Sequence, residues 1–209
     1  MTLITDLYDL GGPVLMILLI ISVFTLALIF YKAWQFQTAR VGKGGAIKEA
    51  LSNFDKGDRE EAYKSIDGSQ HFLASVVESG FYLSDQSIET TCLSGRIESE
   101  AEQAIIPLER GFRVLDIVAQ LAPLLGLLGT VIGMIEAFQA LQGAGSQVDP
   151  SLLAGGIWVA LLTTAVGLSV AMPTSVALTW LESRMDNERN LADHAVAVIT
   201  APKLSTTRP

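Results

Sequence analysis

Three threonines interrupt long apolar runs of this sequence: Thr130, Thr163 and Thr164. The runs extend from Ile117 to Ile135 and from Pro150 to Leu181, and neither contains an Asp, Glu, Lys or Arg. A hydroxyl can donate and accept hydrogen bonds without the cost of burying a charge. The three hydroxyls therefore predict a narrow polar path for an ion. The alternative is that each one bonds back to a carbonyl of its own helix, as membrane threonines usually do.

Small residues lie at helical spacing beside these threonines. The stripe in the first run consists of Gly126, Gly129, Gly133 and Ala137. Gly167 belongs to a similar stripe in the second run. Gly129 and Gly133 make a GxxxG pair, which lets two membrane helices approach closely. We predict that these glycines are helix-packing positions. Our specific hypothesis is that Gly129 and Gly133 form a seam between copies of the chain.

The carboxylates near these runs can be interpreted in two ways. Glu136 is the one acid near the outer end of a span, where it could gather cations at the mouth of a path or extend to the interface. Glu98, Glu102 and Glu109 fall near one face of a polar helix. They predict either a solvated face or a carboxylate-lined vestibule below a pore.

The sequence lacks the common motifs of soluble enzymes: it has no phosphate loop, HExxH, GxSxG or Cys/His ligand cluster. We therefore expect no enzyme activity, no cofactor and no metal site. His71 and His194 are far apart in sequence and are interpreted as surface or packing residues, and the single cysteine, Cys92, lies in a polar stretch. A net charge of −8 argues against nucleic acid as a partner.

The elements that must position these groups are long apolar helices. Half of the 209 residues are hydrophobic and 17% are charged, against about 25% in soluble domains. Three uncharged blocks each approach or exceed the roughly 20 residues that a membrane span needs. The predicted fold class is an all-α integral membrane protein with three transmembrane helices and long cytoplasmic helical extensions.

Basic residues are placed on one side only. They follow the first span and do not precede it, which predicts a periplasmic N-terminus and a cytoplasmic C-terminus. We expect transmembrane helices at 13–34, 114–141 and 152–181, joined on the periplasmic side by a loop at 142–151. The segment 1–12 would also be periplasmic. A helical domain at 35–113 and a C-terminal helix and tail at 182–209 would be cytoplasmic.

The cytoplasmic part predicts short helices followed by a long one. Ile47–Phe54 and Glu60–Ile66 form two helices around a turn at 55–58, and an amphipathic run extends from Phe72 to Leu83. From Ser87 the pattern is helical as far as Leu141, with Pro107 expected to kink the helix but not to end it. Such a helix would be roughly 80 Å long.

The sequence resembles the ExbB/TolQ/MotA proton-channel family. The matching residues in the second span are Ala122-Pro123, Gly126-Leu127-Leu128-Gly129-Thr130-Val131, Gly133-Met134 and Phe138. Those in the third span are Gly156-Ile157, Ala160-Leu161, Thr164-Ala165 and Gly167-Leu168. Three spans instead of four indicate the ExbB/TolQ branch of the family.

The resemblance implies a subunit of the bacterial inner membrane that converts the proton-motive force into mechanical work for transport or envelope processes. It implies a pentamer whose second and third spans surround a single-span partner similar to ExbD or TolR, which carries the aspartate that takes up and releases protons. A TonB-like protein is a further implied partner. By position, Thr130 and Thr164 match the threonines that line the family's ion path.

One residue departs from the ExbB/TolQ pattern. Those proteins have a glutamate three residues after the matched Gly156, where this chain has Val159. The flagellar branch also lacks this acid, so its absence does not abolish the mechanism that the resemblance implies. It does give room to a rival from another functional class, a non-conducting membrane oligomer that scaffolds a partner.

Overall fold

The computed structural model describes residues 2–86, 89–143 and 150–202, and all regular structure within these ranges is helical. Seven helices follow one another within the described residues: α1 Thr2–Thr38, α2 Gly45–Asp55, α3 Arg59–Ile66, α4 Ala74–Ser84, α5 Thr90–Glu109, α6 Phe112–Gly143 and α7 Pro150–Thr200. Three stretches of helix are long and apolar enough to cross a membrane: Gly12–Thr38, Phe112–Gly143 and Leu153–Thr200. The prediction of an all-α protein with three apolar spanning helices is therefore confirmed.

The first apolar helix begins at a glycine that breaks α1. Gly12 has φ 63° and ψ −167°, far from helical values, and Pro13 follows it. A positive φ costs glycine little, and proline fits the first turn of a helix because it lacks the amide hydrogen that would be unsatisfied there. The pair Gly12-Pro13 therefore ends one helical segment and starts the next.

The prediction of one continuous helix from Ser87 to Leu141 begins outside the described residues, and it is wrong for the described part from 89 onward. α5 ends at Glu109 and α6 begins at Phe112. Arg110 is extended, with ψ 127°, and Gly111 has φ 96°, a value that favours glycine. Pro107, which was expected to cause the kink, lies inside α5. The helix is therefore interrupted at Arg110 and Gly111 and not at the proline.

Contacts divide the chain into two compact units. The first, the membrane unit, comprises Met1–Phe30 and Gly111–Thr179; the second, the polar unit, comprises Tyr31–Arg110 and Trp180–Pro209. Inside the membrane unit a small core joins α1, α6 and α7 through Val14, Leu18, Ala122, Val170 and Ala171. Large apolar side chains remain exposed on all three helices, among them Phe24, Leu127 and Val176. An apolar surface of this extent fits a hydrocarbon surrounding.

The polar unit has its own hydrophobic core, which the predicted short helices build. The rings of Phe54 in α2 and Phe81 in α4 stack with centroids 4.3 Å apart, and Tyr63 in α3 packs edge-on against Phe81. α5 adds Leu93 and Ile97, and the C-terminal part of α7 adds a row of side chains, namely Leu191, Ala192, Ala195, Val198 and Ile199. The two halves of this unit, although distant in sequence, therefore share one core.

The C-terminal end of α5 is capped by side chains from α1. The ammonium of Lys32 donates to the carbonyl of Leu108 at 3.0 Å, and the amide of Gln35 donates to the carbonyl of Pro107 at 3.4 Å. The last carbonyls of a helix have no partner within the helix and are stabilised by a nearby positive charge. Lys32 is buried because it fills this role, and the break after Glu109 creates the need for it.

Candidate ion path between α6 and α7

The glycine stripe of α6 packs against α7 of the same chain. A methyl group added at Gly167 would lie 2.6 Å from the carbonyl oxygen of Ala122 and 3.2 Å from the Cα of Gly126. One added at Gly126 would lie 2.9 Å from the carbonyl oxygen of Thr163. Distances below 3.0 Å to backbone leave no space for a side chain. Gly126 and Gly167 are therefore the points of closest approach between the two helices.

The stripe continues along α6, where the nearest atoms of α7 belong to side chains. A methyl group on Gly129 would meet the Thr163 side chain at 2.6 Å, whereas one on Gly133 would meet Ala160 at 3.4 Å. Further on, Gly156 of α7 faces Ala137. Our hypothesis of a seam between copies placed Gly129 and Gly133 against another subunit, but the structure places them against α7 within one chain. The physical reason is that α6 and α7 carry complementary rows of small residues, which bring their backbones together.

Two threonine hydroxyls of α7 meet one carbonyl of α6 in this seam. Thr163 and Thr164 each donate to the carbonyl of Gly126 at 3.3 Å. Thr163 is 1% exposed, and its single hydroxyl hydrogen is shared between this carbonyl and the closer one of Ala160 in its own helix, at 2.7 Å; Thr164 is half-buried. The absence of a side chain at Gly126 gives both hydroxyls access to that carbonyl. The result is a polar cluster inside otherwise apolar packing.

Thr130 is half-buried and lies one helical turn beyond this cluster. Its hydroxyl donates to the carbonyl of Leu127 in its own helix at 2.7 Å. This is the local bonding that membrane threonines usually adopt, and it leaves the oxygen able to accept a further hydrogen bond. The structure thus brings Thr163 and Thr164 together at Gly126, while Thr130 is bonded locally. Their assignment to an ion path stays a prediction.

The carboxylates singled out from the sequence lie in different surroundings. Glu136 and Glu98 are exposed. Glu102 and Glu109 both bind the guanidinium of Arg189, at 2.7 and 2.9 Å. Arg189 neutralises part of the negative charge on this face of α5, so it is less acidic than the row of glutamates suggests. The roles of Glu136, Glu98 and Glu102 at a mouth or vestibule stay predictions.

A buried pair in the polar unit was not predicted from the sequence. His71 Nε2 and Glu188 Oε2 lie 3.2 Å apart, with side chains 1% and 3% exposed. The amide of Leu73 donates to His71 Nδ1 and the amide of Gly42 donates to Glu188 Oε1. Because Nδ1 accepts a hydrogen bond, the ring proton belongs on Nε2, facing the carboxylate. Glu188 thus connects α7 both to the turn after α1, through Gly42, and to the segment before α4, through His71, which no local sequence pattern indicated.

Removing the second acceptor of Glu188 should loosen this turn. In Glu188→Gln one amide oxygen must serve both Gly42 and His71, so one buried donor loses its partner. We expect a loss of about 1–3 kcal/mol in the free energy of unfolding, and a larger loss in Glu188→Ala. Hydrogen exchange of residues 39–44 should accelerate in both variants. The control is Glu182→Gln on the exposed side of α7, and an equal change in that variant would contradict the role given to the pair.

The helices that form the seam lie in the part of the chain that is similar to known proteins. The sequence pattern of the MotA/TolQ/ExbB proton channel family matches residues 67–194, which include most of α6 and α7. The biopolymer transport protein ExbB of Neisseria meningitidis is 26% identical over 187 residues, covering 83% of this chain and 84% of the relative. The ExbB-like 1 protein of Synechocystis sp. is 32% identical over 165 residues, covering 78% of this chain and 64% of the relative.

A shorter and more similar match is to the biopolymer transport protein exbB1 of Vibrio cholerae, which is 37% identical over 86 residues. That match covers 41% of this chain and 38% of the relative. The chain thus spans less than two thirds of the length of the Synechocystis and Vibrio relatives. The family pattern, however, covers more than half of the chain and both helices of the seam. The chain is a membrane protein that belongs to the MotA/TolQ/ExbB proton channel family.

Proposed function

We propose that this chain is the channel-forming subunit of a proton-driven motor in the bacterial inner membrane. With a single-span partner similar to ExbD or TolR, it converts the proton-motive force into mechanical work for transport or envelope processes. The observation that carries this proposal is the polar cluster at Gly126, which lies inside the family's matched region on two membrane helices. The proposal includes a TonB-like protein as a further partner, which receives the work.

In this proposal five copies place α6 and α7 around a central channel that holds the partner's helix. The partner supplies the aspartate that takes up and releases a proton. Thr130 and Thr164, both half-buried, can hydrogen-bond the protonated carboxyl or hold a water molecule beside it. Gly126 and Gly167 fix the two helices close enough for the hydroxyls to keep their positions.

The proposed topology puts the N-terminus in the periplasm and the polar unit in the cytoplasm. All fourteen Lys and Arg residues would then lie on the cytoplasmic side, as the positive-inside rule favours. In a Cys92→Ser background, cysteines at Asp9 and Ser146 should react with an impermeant thiol reagent in whole spheroplasts. A cysteine at Gly68 should react only after lysis, and its labelling in intact spheroplasts would overturn this topology.

A non-conducting scaffold is the second candidate function. Two observations favour it: Val159 replaces the glutamate of the ExbB/TolQ pattern, and Thr130 and Thr163 both bond to carbonyls of their own helices. A scaffold would assemble with the partner and pass no protons. The two functions therefore differ in proton flux and not in assembly.

Proton uptake into vesicles separates the channel from the scaffold. The chain is reconstituted alone, with its partner, and with a partner whose intramembrane aspartate is replaced by asparagine. We expect proton uptake with the intact partner only, measured by a pH-sensitive dye under an imposed potential. Native mass spectrometry confirms that the asparagine complex has the same subunit count. No uptake above that of protein-free vesicles from the intact, assembled complex would favour the scaffold.

A further inference from the structure

A group of basic side chains in the polar unit surrounds a cavity of about 300 Å³. Arg40 and Lys43 come from the turn after α1, and Arg184 comes from α7. Phe36, Gly42 and Trp180 also line the cavity. Within the described parts of the chain, none of these three cations forms an ion pair with a carboxylate. In a chain with a net charge of −8, three adjacent cations without an acidic partner are unexpected.

The guanidinium of Arg184 is held in place by the residues around it. Its Cζ lies 5.4 Å from the centre of the Trp180 ring, a cation–π distance. A methyl group added at Gly42 would lie 2.8 Å from the Nη1 atom of Arg184, so the guanidinium lies close to this glycine. The amide of Gly42 in turn donates to Glu188, which fixes the turn against α7. Arg184 is therefore positioned at the cavity while its side chain stays exposed.

Arg40 occupies a backbone conformation that arginine disfavours. Its φ is 54°, and it is the one residue other than glycine with a positive φ among those that the structure describes. The position follows the end of α1, where glycine or asparagine is the usual residue. Local strain of this kind suggests that the arginine side chain is kept for a purpose other than stability.

The cavity lies where apolar helix gives way to polar sequence. The uncharged run of α1 ends at Tyr31 and that of α7 ends at Leu181, immediately after Trp180. Tyr31, Trp34 and Trp180 are each at least half exposed, as expected of aromatic residues at a membrane interface. Basic side chains at this level attract the phosphate groups of anionic lipids.

We propose that Arg40, Lys43 and Arg184 form a binding site for the phosphate-bearing headgroup of an anionic phospholipid. The cations bind the phosphate, and the half-exposed ring of Trp180 contacts the glycerol and upper acyl region. One acid, Glu188, lines an adjoining cavity that shares Gly42 and Arg184, and its carboxylate is already engaged by Gly42 and faces His71. The site holds a lipid at the junction of α1 and α7 within the polar unit.

Native mass spectrometry of the full-length protein with added lipid tests this site. Wild-type protein should retain phosphatidylglycerol in preference to phosphatidylcholine. The triple variant Arg40→Gln, Lys43→Gln, Arg184→Gln should bind phosphatidylglycerol about tenfold more weakly or worse. The matched control is Lys56→Gln, Lys64→Gln, Arg96→Gln, which removes the same charge from the same unit away from the cavity and should bind like wild type.

Arg40→Gly separates binding from folding. Glycine accepts the positive φ, so this variant should unfold at a temperature equal to or above that of wild type while binding about fivefold less phosphatidylglycerol. Equal lipid binding by the site and control triple variants would overturn the proposal. Displacement of bound lipid by about 10 mM inorganic phosphate, together with equal retention of the two lipids, would also overturn it and assign the site to a soluble anion.

Discussion

Replacing Gly167 by leucine is expected to force α6 and α7 apart and to prevent the membrane unit from folding. Even the first carbon of the new side chain would lie 2.6 Å from the carbonyl oxygen of Ala122, and backbone cannot move aside as a flexible side chain can. Gly167→Ala should therefore already cost about 1–3 kcal/mol, and the larger leucine should cost more than the helix pair can tolerate. The measurement is the unfolding midpoint in detergent, followed by circular dichroism.

Gly155 offers a matched control on the same helix. A methyl group added there meets nothing within 4 Å. Gly155→Ala should be neutral or should stabilise the helix by up to about 1 kcal/mol, because alanine has the higher helix propensity. If Gly155→Ala and Gly167→Ala shift the unfolding midpoint equally, the close approach at Gly167 does not determine the packing of α7.

The double variant Thr130→Val, Thr164→Val is expected to assemble normally and to lose proton flux. Valine has the shape of threonine but can neither donate nor accept a hydrogen bond. If each hydroxyl stabilises the proton in transit by about 1–3 kcal/mol, each loss slows transfer about tenfold to a hundredfold. The readout is the initial rate of proton uptake into vesicles that contain the chain and its partner.

Thr174→Val is the matched control for this variant. Thr174 lies on α7, is 1% exposed, and donates to the carbonyl of Val170 in its own helix at 2.6 Å. It lies outside the cluster at Gly126, so its valine variant should retain wild-type uptake. Equal losses in Thr174→Val and in the double variant would indicate a general effect of threonine removal on the membrane helices.

The composition of long stretches of the chain, together with local turn signals, predicted most of the fold. Apolar runs of sufficient length gave three spanning helices, and the turn residues at 55–58 separated α2 from α3 as expected. These features depend on residues that are close in sequence, so periodicity and turn signals suffice. The break at Gly111 was missed because Pro107, two residues before the end of α5, was the more obvious breaker. The sequence signal that could have predicted this break is Gly111 itself, a glycine that follows a basic residue at the end of a helical pattern.

The spacing of the glycines in α6 could not predict which helix packs against them. A row of glycines shows that a helix has a close neighbour, but the row does not say which helix that is. The same spacing fits a contact with another subunit, which we expected for Gly129 and Gly133, and a contact with α7, which the structure contains. The sequence also could not pair His71 with Glu188, because 116 intervening residues separate them and neither lies in a motif.

The most direct test of the account compares serine and valine at a single position. Thr164→Ser keeps the hydroxyl beside the carbonyl of Gly126, and Thr164→Val removes it while keeping the volume. Proton uptake is measured for both variants in complexes of equal subunit count with the same partner. The account predicts near wild-type uptake for serine and a loss of about tenfold or more for valine. Equal uptake by the two variants would contradict a role for this hydroxyl in the ion path.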